Sequence, residues 1–259
     1  MKRSNWIGIT GLIVVTITVG SAGALSPIGT SAAASVDRQD PVVRVTANAL
    51  PHYVMWDLAS DFGITATNPQ PDSYGDANVW SWRQGSNLLH PSKFTLLHTY
   101  TTKDFGVTGL DSWHGPFASQ PEALLPQVGI NASRAVADGS TSSEMGGIFW
   151  PKNVVLVHPS PTSDAIIGWT SPATMTVTVT ATVAKLDRDC GDGITWRLSD
   201  GGVKLTGGAI GKGGNPKGTV RAIPVSVGTT IYLEIGPASD HGYFCDSTGV
   251  SLTVTGRTG

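Results

Sequence analysis

Residues 240–249, DHGYFCDSTG, put two carboxylates, a histidine, two aromatic rings and one of the chain's two cysteines within ten positions. A thiolate at Cys245 with His241 beside it would be a nucleophile, but that chemistry needs a reduced sulfur. A second acidic stretch, DRDCGDG, holds Asp187, Asp189 and Asp192, and three carboxylates so close can bind Ca²⁺ through hard oxygen ligands. It is not a helix-loop-helix calcium loop: Gly191 holds the fifth position and Leu198 the twelfth, where a bidentate glutamate belongs. The competing reading is a polar hairpin tip.

A third chemistry is stacking. In DANVWSWRQG, Trp80 and Trp82 are spaced so that both rings leave one face of a strand. Sugar rings present apolar C–H faces that stack on indole, and Asp76, Asn78, Arg83 and Gln84 could satisfy the hydroxyls. Trp113 with His114 in GLDSWHG is a second candidate of the same kind. The alternative is that these tryptophans fill a core.

Signatures of catalysis are sparse. Neither G-x-S-x-G nor H-E-x-x-H occurs, and GGAIGKGGNPKG fails the phosphate-loop pattern at Thr206 and Gly213. A glycosidase needs two carboxylates about 5–10 Å apart across a cleft. The glutamates are Glu122, Glu144 and Glu234, and the sequence sets none of them opposite an aspartate. His158, in VHPSP, is expected to order a turn.

What must position these groups follows from compartment and periodicity. The first 34 residues carry two positive charges, an apolar run from Trp6 to Val19 and then small residues ending at Ala32 and Ala34, the layout of a secretory signal peptide. An uncleaved membrane anchor is the alternative, and it is the one membrane contact expected. Either way the bulk of the chain lies outside the cytoplasm, secreted or at the cell surface. In an oxidising compartment Cys190 and Cys245 should be joined, which removes the thiol nucleophile and draws Asp189 and Asp246 into one neighbourhood.

The 259 residues are 40% apolar and 14% charged, with a net charge of −2, so the chain is globular and has no basic surface for nucleic acid. Thirty-two glycines and 16 prolines suit short strands and tight turns. In TMTVTVTATVA, residues 174–184, Met175, Val177, Val179, Ala181 and Val183 alternate with polar positions, and GITWRL, TIYLEI and VSLTVT repeat the pattern. Residues 50–150 are less periodic and rich in aromatics. With no linker between the halves, a flexible lead over 35–50 and one all-β sandwich over 51–257 are expected.

The order of blocks SDFGITATNP…SYG, FTLLHTY, GLDSWHG, VGINAS, FWPKNVVLVHPSPTSDAIIGWTSP, GITWRLSDGG, VSVGTTIYLEIGP and YFCDSTGVSLTVTG resembles a family of secreted bacterial jelly-roll domains. That family is similar to carbohydrate-binding modules, and its own function is largely undefined. Two departures stand out: Asp72 where a tryptophan is expected before Ser-Tyr-Gly, and Gly228-Thr229-Thr230 where Gly-Asp-Thr is expected. The resemblance implies a structural calcium where the first strand meets the last, with Asp57 or Asp61 and Asp246 as its acidic residues. It further implies a non-catalytic module for a glycan or cell-wall polysaccharide; a secreted polysaccharide hydrolase or a structural surface protein is the alternative.

Overall fold

The computed structural model describes residues 52–258 apart from 64, 86–89, 121–122, 134–136, 139–147, 188–189, 212–213, 216 and 239–241. The expected signal peptide (1–34) and lead (35–50) lie outside the described residues. In chain order the strands are β1 (His52–Asp57), β2 (Trp80–Gly85), β3 (Thr95–Leu96), β4 (Thr99–Thr101), β5 (Leu110–Gln120), β6 (Ala123–Asn131), β7 (Ala137–Asp138) and β8 (Phe149–Trp150). There follow β9 (Val155–His158), β10 (Asp164–Thr170), β11 (Met175–Lys185), β12 (Ile194–Asp200), β13 (Val203–Ile210), β14 (Lys217–Val225), β15 (Thr230–Pro237) and β16 (Thr248–Thr258). One short helix, α1 (Leu58–Asp61), is capped by Asp57, whose Oδ1 accepts from the Ser60 amide at 3.0 Å.

Two antiparallel sheets stack as a β-sandwich of jelly-roll type. The first runs β14-β11-β16-β9-β6-β5-β4 with β1 added beside β16, and the second runs β13-β12-β15-β10-β2-β3. Both sheets contain strands from before residue 150 and from after it. The aromatic-rich stretch escaped a periodic reading because its strands β3, β4, β7 and β8 are only two or three residues long, too short for alternation to register.

β16 is shared three ways. One edge pairs with β11 from Thr248 to Arg257, while the other pairs first with β9 at Thr248–Val250 and then with β1 at Thr253–Thr258. The run over 174–184 forms β11, and its five inward residues are all buried. They meet Ile231, Leu233 and Ile235 of β15 and Ile194, Trp196 and Leu198 of β12 in one continuous core.

Tryptophans dominate the end of the core under α1. Trp56 and Trp169 meet edge to face with ring centres 5.1 Å apart, and Phe62 stacks on Trp82 at 4.5 Å. Each of two indole N–H groups needs an acceptor in this apolar setting, and each finds a buried carboxylate. Trp80 Nε1 donates to Asp61 Oδ2 at 2.8 Å and Trp56 Nε1 to Asp72 Oδ2 at 2.6 Å. Asp72 also accepts the amides of Tyr74 and Asp76, so the aspartate that stands where a tryptophan is expected serves as an internal acceptor.

Candidate functional site

The aromatic platform expected at Trp80, Trp82 and Trp113 is corrected by their burial. Trp80 and Trp82 are 0% exposed and Trp113 is 5% exposed, with Tyr100 packed on its ring at 4.9 Å. The two-residue spacing does send both β2 rings to one face, but that face is the one turned toward the opposite sheet. Arg83 points the other way and donates its Nε to Ser81 Oγ at 2.9 Å, away from any stacked tryptophan.

The expected calcium ligands are not gathered either. Asp57 caps α1 and stands opposite Thr253, and Asp61 is committed to Trp80 and to the Ser73 amide. Asp246 lies seven residues from Thr253 along the chain, about 20 Å at a strand's rise, so neither Asp57 nor Asp61 meets it. Asp189 lies outside the described residues. The disulfide is present: Cys190 and Cys245 are joined, with Cα atoms 5.7 Å apart. An Asp187 carboxylate oxygen lies within 4.8 Å of both sulfurs, but disulfide sulfurs are no thiolate ligands, and Asp187 Oδ2 accepts the Ser247 amide at 2.7 Å. His158 orders its turn through Nδ1, which lies 2.7 Å from the Pro159 carbonyl, and burial lowers its pKa.

Two concave features take the place of the platform. The larger is a groove of about 910 Å³ on the outer face of the first sheet, where β1, β16, β11 and β14 lie side by side. Strand register sets its floor: Tyr53 stands opposite Arg257 and Arg257 opposite Thr176, while the next row runs from Met55 through Thr255 to Thr178. Across β11 the register with β14 shifts between Val177 and Val179, a bulge that brings Arg221 and Ala222 to the groove. Ala222 holds φ = 56°, an uncommon conformation for a residue with a side chain. Tyr53 is 70% exposed and Met55 55% exposed. Among the described residues neither Arg221 nor Arg257 makes an ion pair, and no aspartate or glutamate lines the groove.

The smaller is a pocket of about 180 Å³ at the β4–β5 edge of the same sheet, and it contains the expected site residue His114. His114 is not exposed beside Trp113; alternation turns it outward from the core, and the turn at Asp104–Gly106 folds over it. Its Nδ1 lies 2.7 Å from the Leu124 carbonyl and its Nε2 3.6 Å from Asp104 Oδ1. Asp104 is buried beneath, accepting from the Phe105 amide at 3.0 Å and from Gln127 Nε2. Burial raises its pKa, while the His114 charge and the hydrogen bonds from Ser112, Phe105 and Gln127 oppose the rise. Asp104 was not legible as a partner: it is ten residues from His114, and only the fold over β5 brings them together.

The second sheet's outer face holds a group that sequence alternation would send to solvent. Glu234 is 1% exposed, faces Ile166 across the β10–β15 pair, and shares its face with Asp164, two residues away along β10. Ser199 Oγ donates to Glu234 Oε1, and Arg197 Nε lies 4.0 Å from that oxygen. Burial pushes Glu234 up to about 7 and Asp164 up to about 6. This carboxylate pair lies on the other sheet from the groove.

No protein-family model matches the chain, and no curated protein matches it in sequence. Its structural neighbours include carbohydrate-binding modules. The family 51 module of a glycosidase from Clostridium perfringens, solved in complex with methyl-galactose, is 12% identical at a TM-score of 0.33, covering 55% of this chain and 91% of its own. A family 36 module of a multidomain xylanase from the hindgut metagenome of Trinervitermes trinervoides is 13% identical at 0.29, covering 42% and 81%. A family 35 carbohydrate-binding module from Clostridium thermocellum is 14% identical at 0.24, covering 35% and 69%. At these values the likeness carries no argument about a ligand or its site.

Proposed function

We infer that the protein is a secreted, non-catalytic binding module whose groove on the first sheet holds a glycan chain, such as a cell-wall polysaccharide. The observation that carries this reading is the composition of the groove. An exposed tyrosine ring offers a stacking face, four threonines (Thr174, Thr176, Thr178 and Thr255) offer hydroxyls, and two guanidiniums with no ion pair among the described residues offer forked donors. An open trough on a sheet suits a polymer laid along it better than a small enclosed molecule. The absence of a carboxylate among the lining residues favours holding over hydrolysis, since glycosidic cleavage needs an acid and a base across the bond. The Cys190–Cys245 bond supports a location outside the cytoplasm.

Affinity electrophoresis through gels carrying neutral polysaccharides (xylan, mannan, β-glucan) and acidic ones (polygalacturonate, alginate) tests the reading. At least one polymer should retard the wild-type chain, and Tyr53→Ala should abolish the retardation while leaving the melting temperature in place. If none of these polymers retards the chain, the groove is not a glycan site.

A further inference from the structure

We propose that the Asp104–His114 pocket is a second binding site, built for one neutral ring bearing adjacent hydroxyls, such as a monosaccharide or the end residue of a glycan. This inference does not rest on the groove, which lies toward the opposite end of the same sheet.

Charge narrows the ligand first. Lys103 stands at the pocket wall and repels a divalent cation, and the Asp104 carboxylate at its floor repels an anion. What remains is neutral and polar. Size narrows it again: at about 180 Å³ the pocket is smaller than the roughly 300–1,000 Å³ of sites for drug-sized ligands, so it admits a single ring and no chain.

The hydrogen-bonding pattern then points to hydroxyl donors in a pair. His114 Nδ1 is committed to the Leu124 carbonyl, a contact that requires the proton on that nitrogen and leaves Nε2 as an acceptor in the neutral ring. Nε2 and Asp104 Oδ1 are 3.6 Å apart, too far to bond each other and close enough for two neighbouring hydroxyls to reach one acceptor each. Thr99 and Thr101 line the wall with groups that both donate and accept, which ring and ring-hydroxyl oxygens require. Phe105 supplies an apolar side for the C–H face of the ring.

The site is held in place from behind. Gln127 Nε2 donates to Asp104 Oδ2 and also to Ser112 Oγ at 3.2 Å, so the carboxylate is fixed before any ligand arrives. Phe105 sits at φ = 49°, a left-handed conformation that a side chain disfavours. Strain of this kind persists where surrounding contacts hold it, and it concentrates at ligand sites. The partly buried Phe105 ring also packs on the small cluster of Leu110, Trp150 and Leu156, which supplies such contacts.

The test is side-chain NMR on the full chain, following His114 and Phe105 during titration with methyl glucopyranoside, methyl mannopyranoside and myo-inositol. Calcium chloride and sodium phosphate serve as charged comparators. At least one polyol should shift both residues saturably, with millimolar affinity. Thr101→Val, which removes a hydroxyl that also accepts the Lys103 amide at 3.1 Å, should weaken binding about threefold or more, and His114→Gln about tenfold or more. A trisaccharide that shifts the same resonances identifies a glycan end as an occupant; one that leaves them untouched limits the site to free sugars and polyols.

The proposal is overturned if no polyol shifts His114, if Thr101→Val binds as tightly as wild type, or if calcium or phosphate shifts the pocket more strongly. The Arg221→Gln/Arg257→Gln variant should keep full pocket binding. That result separates failure of the pocket from failure of the groove.

Discussion

Glu234→Gln should prevent much of the stability loss that the wild-type chain suffers as pH rises. Burial pushes the Glu234 carboxyl from its ordinary 4.5 up to about 7; the Ser199 hydrogen bond and the Arg197 charge oppose this, and the Asp164 charge adds to it. Between those two values the folded chain retains a proton that the unfolded chain has released. The resulting stabilisation is fully present below about pH 4.5 and is lost as pH rises through about 7. At roughly 1.4 kcal/mol per unit, the loss is at most about 3–4 kcal/mol. Asp164, raised from 3.8 to about 6 by burial, loses its contribution in the same direction, and the two titrate as a pair instead of adding independently. His158 opposes them, because burial lowers its pKa and its contribution therefore grows as pH rises toward about 6.5. The readout is consequently the difference between variant and wild type, obtained by urea denaturation followed by tryptophan fluorescence. Glutamine imitates the neutral acid, so the two chains should be nearly matched at about pH 5. The variant should be the more stable by about 1–3 kcal/mol at about pH 8. A gap that stays constant from about pH 5 to about pH 8 would refute the buried, proton-retaining carboxylate.

Four further outcomes are expected. Replacing Cys190 and Cys245 by serine opens a link between residues 55 apart and should cost roughly 4 kcal/mol in a chemical denaturation curve, while the native protein should react with no thiol reagent before unfolding. Asp72→Ala leaves the Trp56 indole N–H buried without its acceptor and should cost about 1–3 kcal/mol by the same measurement. Trp82→Ala should cost about 3–5 kcal/mol as a core deletion, whereas Trp82→Phe should leave glycan retardation unchanged in any gel where the protein stays folded. Arg221→Gln with Arg257→Gln should weaken binding to acidic polysaccharides about tenfold at low salt and change binding to neutral ones far less, a contrast that raised salt should erase.

Alternation made much of the second half legible before any coordinates. β11, β12, β15 and β16 lie where period-two patterns put them, because each has one face on the core and the other toward solvent or a polar layer. The same rule misled at β2. Its pattern is also regular, but a spacing of two says only that Trp80 and Trp82 share a face, and a tryptophan looks alike in sequence whether that face is core or surface. The groove was illegible for a related reason. Tyr53 and Arg257 are more than two hundred positions apart in the chain, and only the pairing of β1 with β16 makes them neighbours. Cysteine pairing was legible because two cysteines allow one bond. The Asp104–His114 contact was not, since nothing local in Lys103–Gly106 signals that the turn closes over β5.

The three-way pairing of β16 carries a consequence for how the chain is made. Until residues 248–258 are available, the first sheet is split: β11 and β14 have no connection through the sheet to β9, β6, β5 and β4, and β1 has no partner among the described strands. A nascent chain short of β16 therefore lacks the strand around which its larger layer assembles, and contacts of such long range close late. Synthesis can pass β15 without committing the chain to a native sandwich. Until β16 is made, the first sheet therefore stays in separate pieces, and the core that it shares with the second sheet stays open.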